Sequence, residues 1–327
     1  MSAYETIGVA GYGVDDLRRA AAAGVRAPSL HNSQPWRFRL RAGSIEVLVD
    51  PDRALPATDP RGWAAHIACG AAAFNARLAL AVAGTPARTL LRPDHSEPLL
   101  AARLSPGPAR PASPAEARLF DAVPRRHSNR QPFWATPVPA DVRAALVAAA
   151  TAEGAWLELL VGMTSLSAVV EIVAAADRVL RRDERYQAEL TDWARVIEAP
   201  DGVPVAVAAV AAEPQDLLPQ RAYGDRRRAA GRDYEPEPLV AVLGGAGDTA
   251  ADRIAAGQAL QRVLLTATAA GLACSMVSQP IEVPAAREHL RRALHRHGAP
   301  QLLLRLGYGV PGSPTPRRPL DDVLTAE

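Results

Sequence analysis

The sequence contains no lysine; the 37 side chains counted as Lys or Arg are all arginine. A pyridoxal Schiff base and a Walker-type phosphate loop both depend on a lysine ammonium, so both enzyme classes are excluded. Cysteine is almost absent. Cys69 and Cys274 stand alone in apolar surroundings, without CxxC or metal-ligand spacing, and are expected as free buried thiols, not as a disulfide or a metal centre. Net charge is also small: 35 acidic residues leave a formal +2, which argues against a nucleic-acid partner. No Gly-x-Ser-x-Gly occurs, so a serine hydrolase would have no nucleophile elbow. No apolar run reaches the roughly 20 residues of a membrane span. The opening MSAYETIGVA has no basic start leading into an apolar stretch, so the expectation is a cytoplasmic protein with no membrane partner.

What remains is a globular chain of 327 residues, 48% hydrophobic and 22% charged, a length that suits two domains or one large duplicated one. A repeat is visible. ACGAAAFNARLALAVAG (68–84) aligns without a gap on AAGQALQRVLLTATAAG (255–271), pairing Gly70 with Gly257 and Gly84 with Gly271. Both segments are apolar almost all round, as for helices buried in the middle of a structure, and each closes on a C-cap glycine. Strand-like runs follow each, PLLAARL (98–104) and PQLLLRL (300–306), with Arg103 and Arg305 in matching places. The proline-rich SPGPARPASPAE (105–116) cannot continue a helix or an inner strand and marks the boundary between halves. We expect helices near 14–26, 139–151 and 164–182, and strands over WRFRLRAG, SIEVLVD, 155–161 and 238–244. The stretch 183–237, with scattered prolines and charges, has no counterpart in the first half; an insertion of that length suggests a lid.

RRHSNR (125–130) places Arg126, Ser128 and Arg130 at alternate positions, which share one face of an extended segment. Two guanidinium forks and a hydroxyl on one face suit a phosphate dianion as well as a basic surface patch. PRRPL (316–320) adds Arg317 and Arg318. APSLHNSQPW (27–36) is stiffened by Pro28 and Pro35 and offers Ser29, Asn32, Ser33 and Gln34, short donors and acceptors that could meet a heterocycle edge or simply cap a turn. RAYGDRRRAAGR (221–232) reads as a solvated basic surface, with an anion or acidic-partner site as the alternative.

Together with SQPIE (278–282), these fragments resemble the cofactor-contacting segments of nitroreductase-fold FMN flavoproteins, with the arginine motif and the serine-asparagine loop in reversed order. The resemblance implies an α+β nitroreductase-like fold and a small-molecule site. It makes Arg126, Ser128, Arg130 and Arg317 ligands of the FMN phosphate. Pro28, Ser29, Asn32 and Gln34 become contacts to the flavin ring, and Pro280, Ile281 and Glu282 belong to a segment whose backbone approaches its redox edge. The first half (1–115) has the loop without the arginine motif; the second (116–327) has the motif without the loop. The chain is therefore similar to the Acg-type subgroup, a fused pseudo-dimer holding one FMN under a lid. That subgroup implies a monomer, with a homodimer as the alternative. NAD(P)H would be the reductant and nitroaromatics or quinones the acceptors, or the protein would store flavin without turnover. Two departures stand out: Leu30 replaces the loop's second serine, and Val283 follows Pro-Ile-Glu where glycine often gives room.

Other signals are set aside. LGGAGD (243–248) lacks dinucleotide-loop spacing and reads as a turn with Asp248 near a helix start. GVAGYG (8–13) follows no strand, and His295 and His297 lack further metal ligands nearby.

Overall fold

The two aligned segments become the two central helices, α2 (Trp63–Val82) and α7 (Ala250–Ala269), which pack against each other. Their contact is reciprocal. A Cβ on Gly70 would lie 2.0 Å from the carbonyl oxygen of Ile254, and a Cβ on Gly257 would lie 2.1 Å from that of Ile67. Ile67 and Ile254 occupy equivalent places immediately before the aligned segments, so the same close approach is made twice, once in each direction. Only glycine lets the two backbones come so near. The computed structural model describes residues 12–92, 94, 96–207, 217–219, 221, 223 and 238–326.

Around this pair lie two sheets. In the first, β1 (Trp36–Arg41), β2 (Ser44–Val49), β3 (Ala87–Leu91), β4 (Leu100–Pro106) and β11 (Leu324–Ala326) run in the order β11-β1-β2-β4-β3. All neighbours are antiparallel except β11, which lies parallel to β1 with Phe38 opposite Leu324. In the second, β5 (Trp156–Leu160), β8 (Leu239–Gly245), β9 (Ala273–Val277) and β10 (Ala299–Gly307) form an antiparallel order β5-β8-β10-β9. The end of the chain thus returns to the first sheet, which the boundary at 105–116 did not anticipate.

The remaining helices are α1 (Val14–Gly24), α3 (Pro114–Ala122), α4 (Ala140–Thr151), α5 (Met163–Arg182), α6 (Glu184–Asp192), the short α8 (Gln279–Glu282) and α9 (Pro284–Ala293). Segment 107–113 is irregular, and α3 starts at Pro114 under a capping box formed by Ser113 and Glu116, as the prolines there require. A two-stranded ribbon, β6 (Ala194–Arg195) with β7 (Val203–Pro204), belongs to the 183–237 insertion; 208–216, 220, 222 and 224–237 of it lie outside the described residues.

One expectation needs correction. Helix α2 is long and apolar enough to cross a membrane by length and composition, but 78% of its most apolar window is buried. It serves as a core helix, filling the space between the first sheet and α7. Trp36 is fully buried, and both cysteines are free and buried.

Candidate functional site

A cavity of about 770 Å³, counting its open mouth, gathers residues from both halves. Helix α2 contributes Trp63, Ala64, Ile67 and Ala68, and α7 contributes Leu260. Strand β9 and its exit supply Ser275 to Gln279. The loop before β1 brings Pro28, Ser29, Leu30 and His31; the arginine motif brings Ser128 and Arg130; and the insertion brings Arg221 and Tyr223. Mostly apolar walls with a few convergent polar groups characterise a small-molecule site.

The loop is held in a conformation that its residues do not adopt freely. His31, Asn32 and Gln34 have φ of 53°, 54° and 53°, in the left-handed region that costs a non-glycine residue of order 1 kcal/mol or more. Its own side chains hold it there. Asn32 Nδ2 donates to the carbonyls of Gly202 and Pro316, both at 3.0 Å, while its Oδ1 accepts from Arg317 at 2.9 Å. Gln34 Nε2 donates to the Pro200 carbonyl at 2.9 Å, and its Oε1 accepts the Arg318 amide at 2.8 Å. Ser29 Oγ accepts the Gln34 amide at 2.9 Å. Asn32 and Gln34 are thus staples joining the loop to the insertion and the C-terminal tail, and neither lines the cavity.

Arg126, Arg130 and Arg317 have no carboxylate partner among the described residues. Arg126 is buried, donates to the Arg26 carbonyl at 3.4 Å, and its Nε has no acceptor among the described residues. Arg317 donates to the carbonyls of Val25, Ala27 and Pro316 and to Asn32 and Thr315, all uncharged. Burial pushes Arg126 down to about 10; burial, then Arg126 and Arg26, push Arg317 down to about 9. Arg130 is also lowered, by burial first and by Arg221, with Tyr223 acting the other way. His127, beside this cluster, is lowered by burial and by Arg126, Arg317 and Arg26. A cationic cluster with depressed pKa values and unmade hydrogen bonds costs the folded state free energy that a bound anion would recover.

Of the expected site residues, Pro28, Ser29, Ser128 and Arg130 line the cavity; Arg126 and Arg317 meet each other at the 25–27 carbonyls and do not line it. SQPIE splits. Ser278 and Gln279 face the cavity, whereas Ile281 and Glu282 line a second cleft beyond Trp63, and Pro280 is buried in α8 without lining either. The short helix turns the segment over, which its four residues could not signal. Glu282 pairs with Arg221 at 2.5 Å, both nearly inaccessible to solvent.

Sequence reasoning missed His31, Arg221 and Tyr223. His31 is buried, with Nδ1 2.8 Å from the Tyr223 hydroxyl and Nε2 3.3 Å from Thr58 Oγ1. Burial, then Arg221 and Arg130, hold its pKa well below the usual histidine range. Arg221 and Tyr223 begin the stretch read as solvated surface, but Tyr223 is buried and Arg221 is almost so; the remainder, 224–232, lies outside the described residues. The signal available for His31 was its place inside the proline-bounded loop.

Residues 123–308 match the Nitroreductase family, more than half of the chain. "Putative NAD(P)H nitroreductase Rv3131" of Mycobacterium tuberculosis is 34% identical over 318 residues, covering 95% of this chain and 91% of that protein. "Putative NAD(P)H nitroreductase acg" of the same organism is 32% identical over 320 residues, covering 94% and 95%. The chain belongs to the nitroreductase family. Its α+β architecture is nitroreductase-like, as the motifs implied. Among solved structures, a nitroreductase with bound FMN from Desulfitobacterium hafniense covers 64% of this chain and 97% of its own length at 14% identity, with a TM-score of 0.39.

Proposed function

We propose that this chain is an FMN-dependent oxidoreductase that takes one FMN into the cavity between its two halves, with NAD(P)H as reductant and a nitroaromatic or quinone as acceptor. The observation that carries the reading is the cluster of Arg126, Arg130 and Arg317, without an anion among the described residues, placed in and beside a cavity with largely apolar walls. The residues fit the group. A phosphate dianion would supply charged acceptors where Arg126 and Arg317 now meet backbone, amide and hydroxyl oxygens, and planar forks suit its oxygens.

When bound, FMN supplies hydride exchange between the nicotinamide and the acceptor. The chain's own residues do the rest. Ser128 and Arg130 would hold the phosphate, with Arg126 and Arg317 adding positive charge behind them. Pro28, Ser29 and the Ser275–Gln279 segment would border the heterocycle, and Trp63, Ile67, Leu260 and Leu302 would exclude water from it. Supporting one site per chain, the loop comes from residues 1–115 and the arginine motif from 116–327. The reciprocal contact of Gly70 with Ile254 and Gly257 with Ile67 supports reading the halves as a fused pseudo-dimer.

The insertion favours a second reading, a protein that sequesters FMN without turnover. Arg221 and Tyr223, from the insertion, stand in the cavity wall, which supports a lid role that limits access to a second substrate. Anaerobic addition of NADPH or NADH to the flavin-loaded protein separates the two: bleaching of the flavin band within minutes is expected of the enzyme, and none over hours leaves storage. A protein that takes up no FMN would overturn both.

A further inference from the structure

The insertion enters the cavity through a side chain whose hydroxyl is engaged by another region of the chain. Glu189, on α6, accepts the backbone amides of Ala57 at 2.9 Å and Thr58 at 3.0 Å, together with the Thr58 hydroxyl. A carboxylate serving three donors acts as acceptor only, so Thr58 donates to it and accepts in turn from His31 Nε2–H. A neutral imidazole protonated at Nε2 accepts at Nδ1, so the Tyr223 hydroxyl, 2.8 Å away, donates to His31. The Tyr223 ring, held in this way, lies beside Arg130, whose guanidinium carbon is 5.6 Å from the ring centre. Every hydrogen-bond direction along Tyr223, His31, Thr58 and Glu189 is fixed from the carboxylate end.

The geometry points to Tyr223 and His31 as positioning residues that orient Arg130 toward an anionic group in the cavity, the phosphate of FMN. This rests on the FMN reading above. A guanidinium resting on a ring that is itself anchored has lost rotational freedom and keeps its donors for phosphate oxygens, so binding orders less of it. These contacts join all three regions: Arg130 from the second half, His31 and Thr58 from the first, Tyr223 and Glu189 from the insertion. Phosphate recognition therefore draws on all three, and the site distinguishes FMN from riboflavin through it.

The test compares the departure of FMN and of riboflavin from refilled apoprotein, followed by recovery of free-flavin fluorescence, with melting curves to confirm that each variant is folded. Tyr223→Phe keeps the ring but frees it from His31, and should release FMN about fivefold faster, the scale of one lost hydrogen bond. Thr58→Val acts from two bonds away and should release it about threefold faster. Riboflavin, which has no phosphate, should leave both variants at the wild-type rate. Equal acceleration of the two flavins would show a merely loosened insertion and overturn the inference, as would unchanged FMN release; should Tyr223→Phe not fold, Thr58→Val decides. Failure of the wild-type protein to take up FMN would overturn the function reading and this inference together, whereas unchanged FMN release from the variants overturns the inference alone.

Discussion

The first sheet and the cavity both concentrate arginine, and they treat it in opposite ways. On the sheet, Arg39 and Arg103 grip the fully buried Glu46 at 2.5 and 2.6 Å, and Arg39 also reaches Glu97 at 2.7 Å. Beyond the second sheet, Arg253 and Arg287 both clasp Asp248 and hold its carboxyl far below the ordinary range. Beside the cavity, Arg126 and Arg317 meet only uncharged acceptors among the described residues and repel one another. Where each guanidinium meets a carboxylate the cation belongs to the fold; where it meets carbonyls and other guanidiniums it is held ready for something the chain does not contain. Burial alone does not separate the two groups, because Arg39 and Arg317 are both partly buried.

The largest effect should come from breaking the sheet pairing. Glu46→Gln strands Arg39 and Arg103 without their shared carboxylate and should lower unfolding free energy by about 3 kcal/mol in denaturant titration. A loss below about 1 kcal/mol would mean that these arginines are solvated well enough to stand alone, and the contrast would collapse. Arg126→Ala should do the reverse: the apoprotein keeps its stability, while FMN affinity falls by about 2 kcal/mol, roughly 30-fold. Arg130→Ala should weaken FMN to a similar degree, and wild-type affinity in the double variant would remove the phosphate assignment.

Asp59 sharpens the comparison from the acidic side. It is a buried carboxyl at the start of α2 whose partners are backbone amides, and burial raises it to about 6 despite them. A folded pKa above the unfolded value means that the native state binds the proton more tightly, so its contribution to stability falls as pH rises between about 4 and 6. Asp59→Asn should remove that decline, raising relative stability above pH 6 by about 1 to 2 kcal/mol in urea titrations across pH. An unchanged pH profile would show that the amides fully compensate the charge. Smallest of all, inorganic phosphate at about tenfold its dissociation constant should raise the apoprotein's melting temperature by a few degrees. Arg126→Ala should lose that shift.

Much of the architecture was readable from local pattern. Glycine at 70 and 257 inside apolar, alanine-rich segments announced two close-packed helices, and the runs around 36–50, 155–161 and 238–244 became strands. Arg103 and Arg305 do sit at matching strand positions, but Arg103 pairs with Glu46 while Arg305 lies over the Phe133 ring at 4.0 Å and donates to the Gln131 carbonyl. Position was legible and partnership was not. The site divides in the same way: Pro28, Ser29, Ser128 and Arg130 were named from their motifs and meet at one cavity, whereas Asn32 and Gln34 are spent on holding the loop. Tyr223 was hidden because a tyrosine among arginines reads as surface, whereas tertiary packing buries it against Leu180, Tyr186, Leu190 and Val203, with His31 of the first half at its edge.

Local composition was enough to specify which chemistry the chain lacks, where its core helices run and which loop carries rigid polar groups, since each depends on residues a few positions apart. Which arginines are neutral partners and which await an anion depended on carboxylates distant in sequence, as Glu46 is from Arg103 and Asp248 from Arg287. Which end of SQPIE faces the cavity depended on a single helical turn, and the return of the last strand to the first sheet depended on an edge that the earlier strands had already built. Coulomb energy and burial are set by distance in space, and a linear sequence does not carry that distance until the chain has folded.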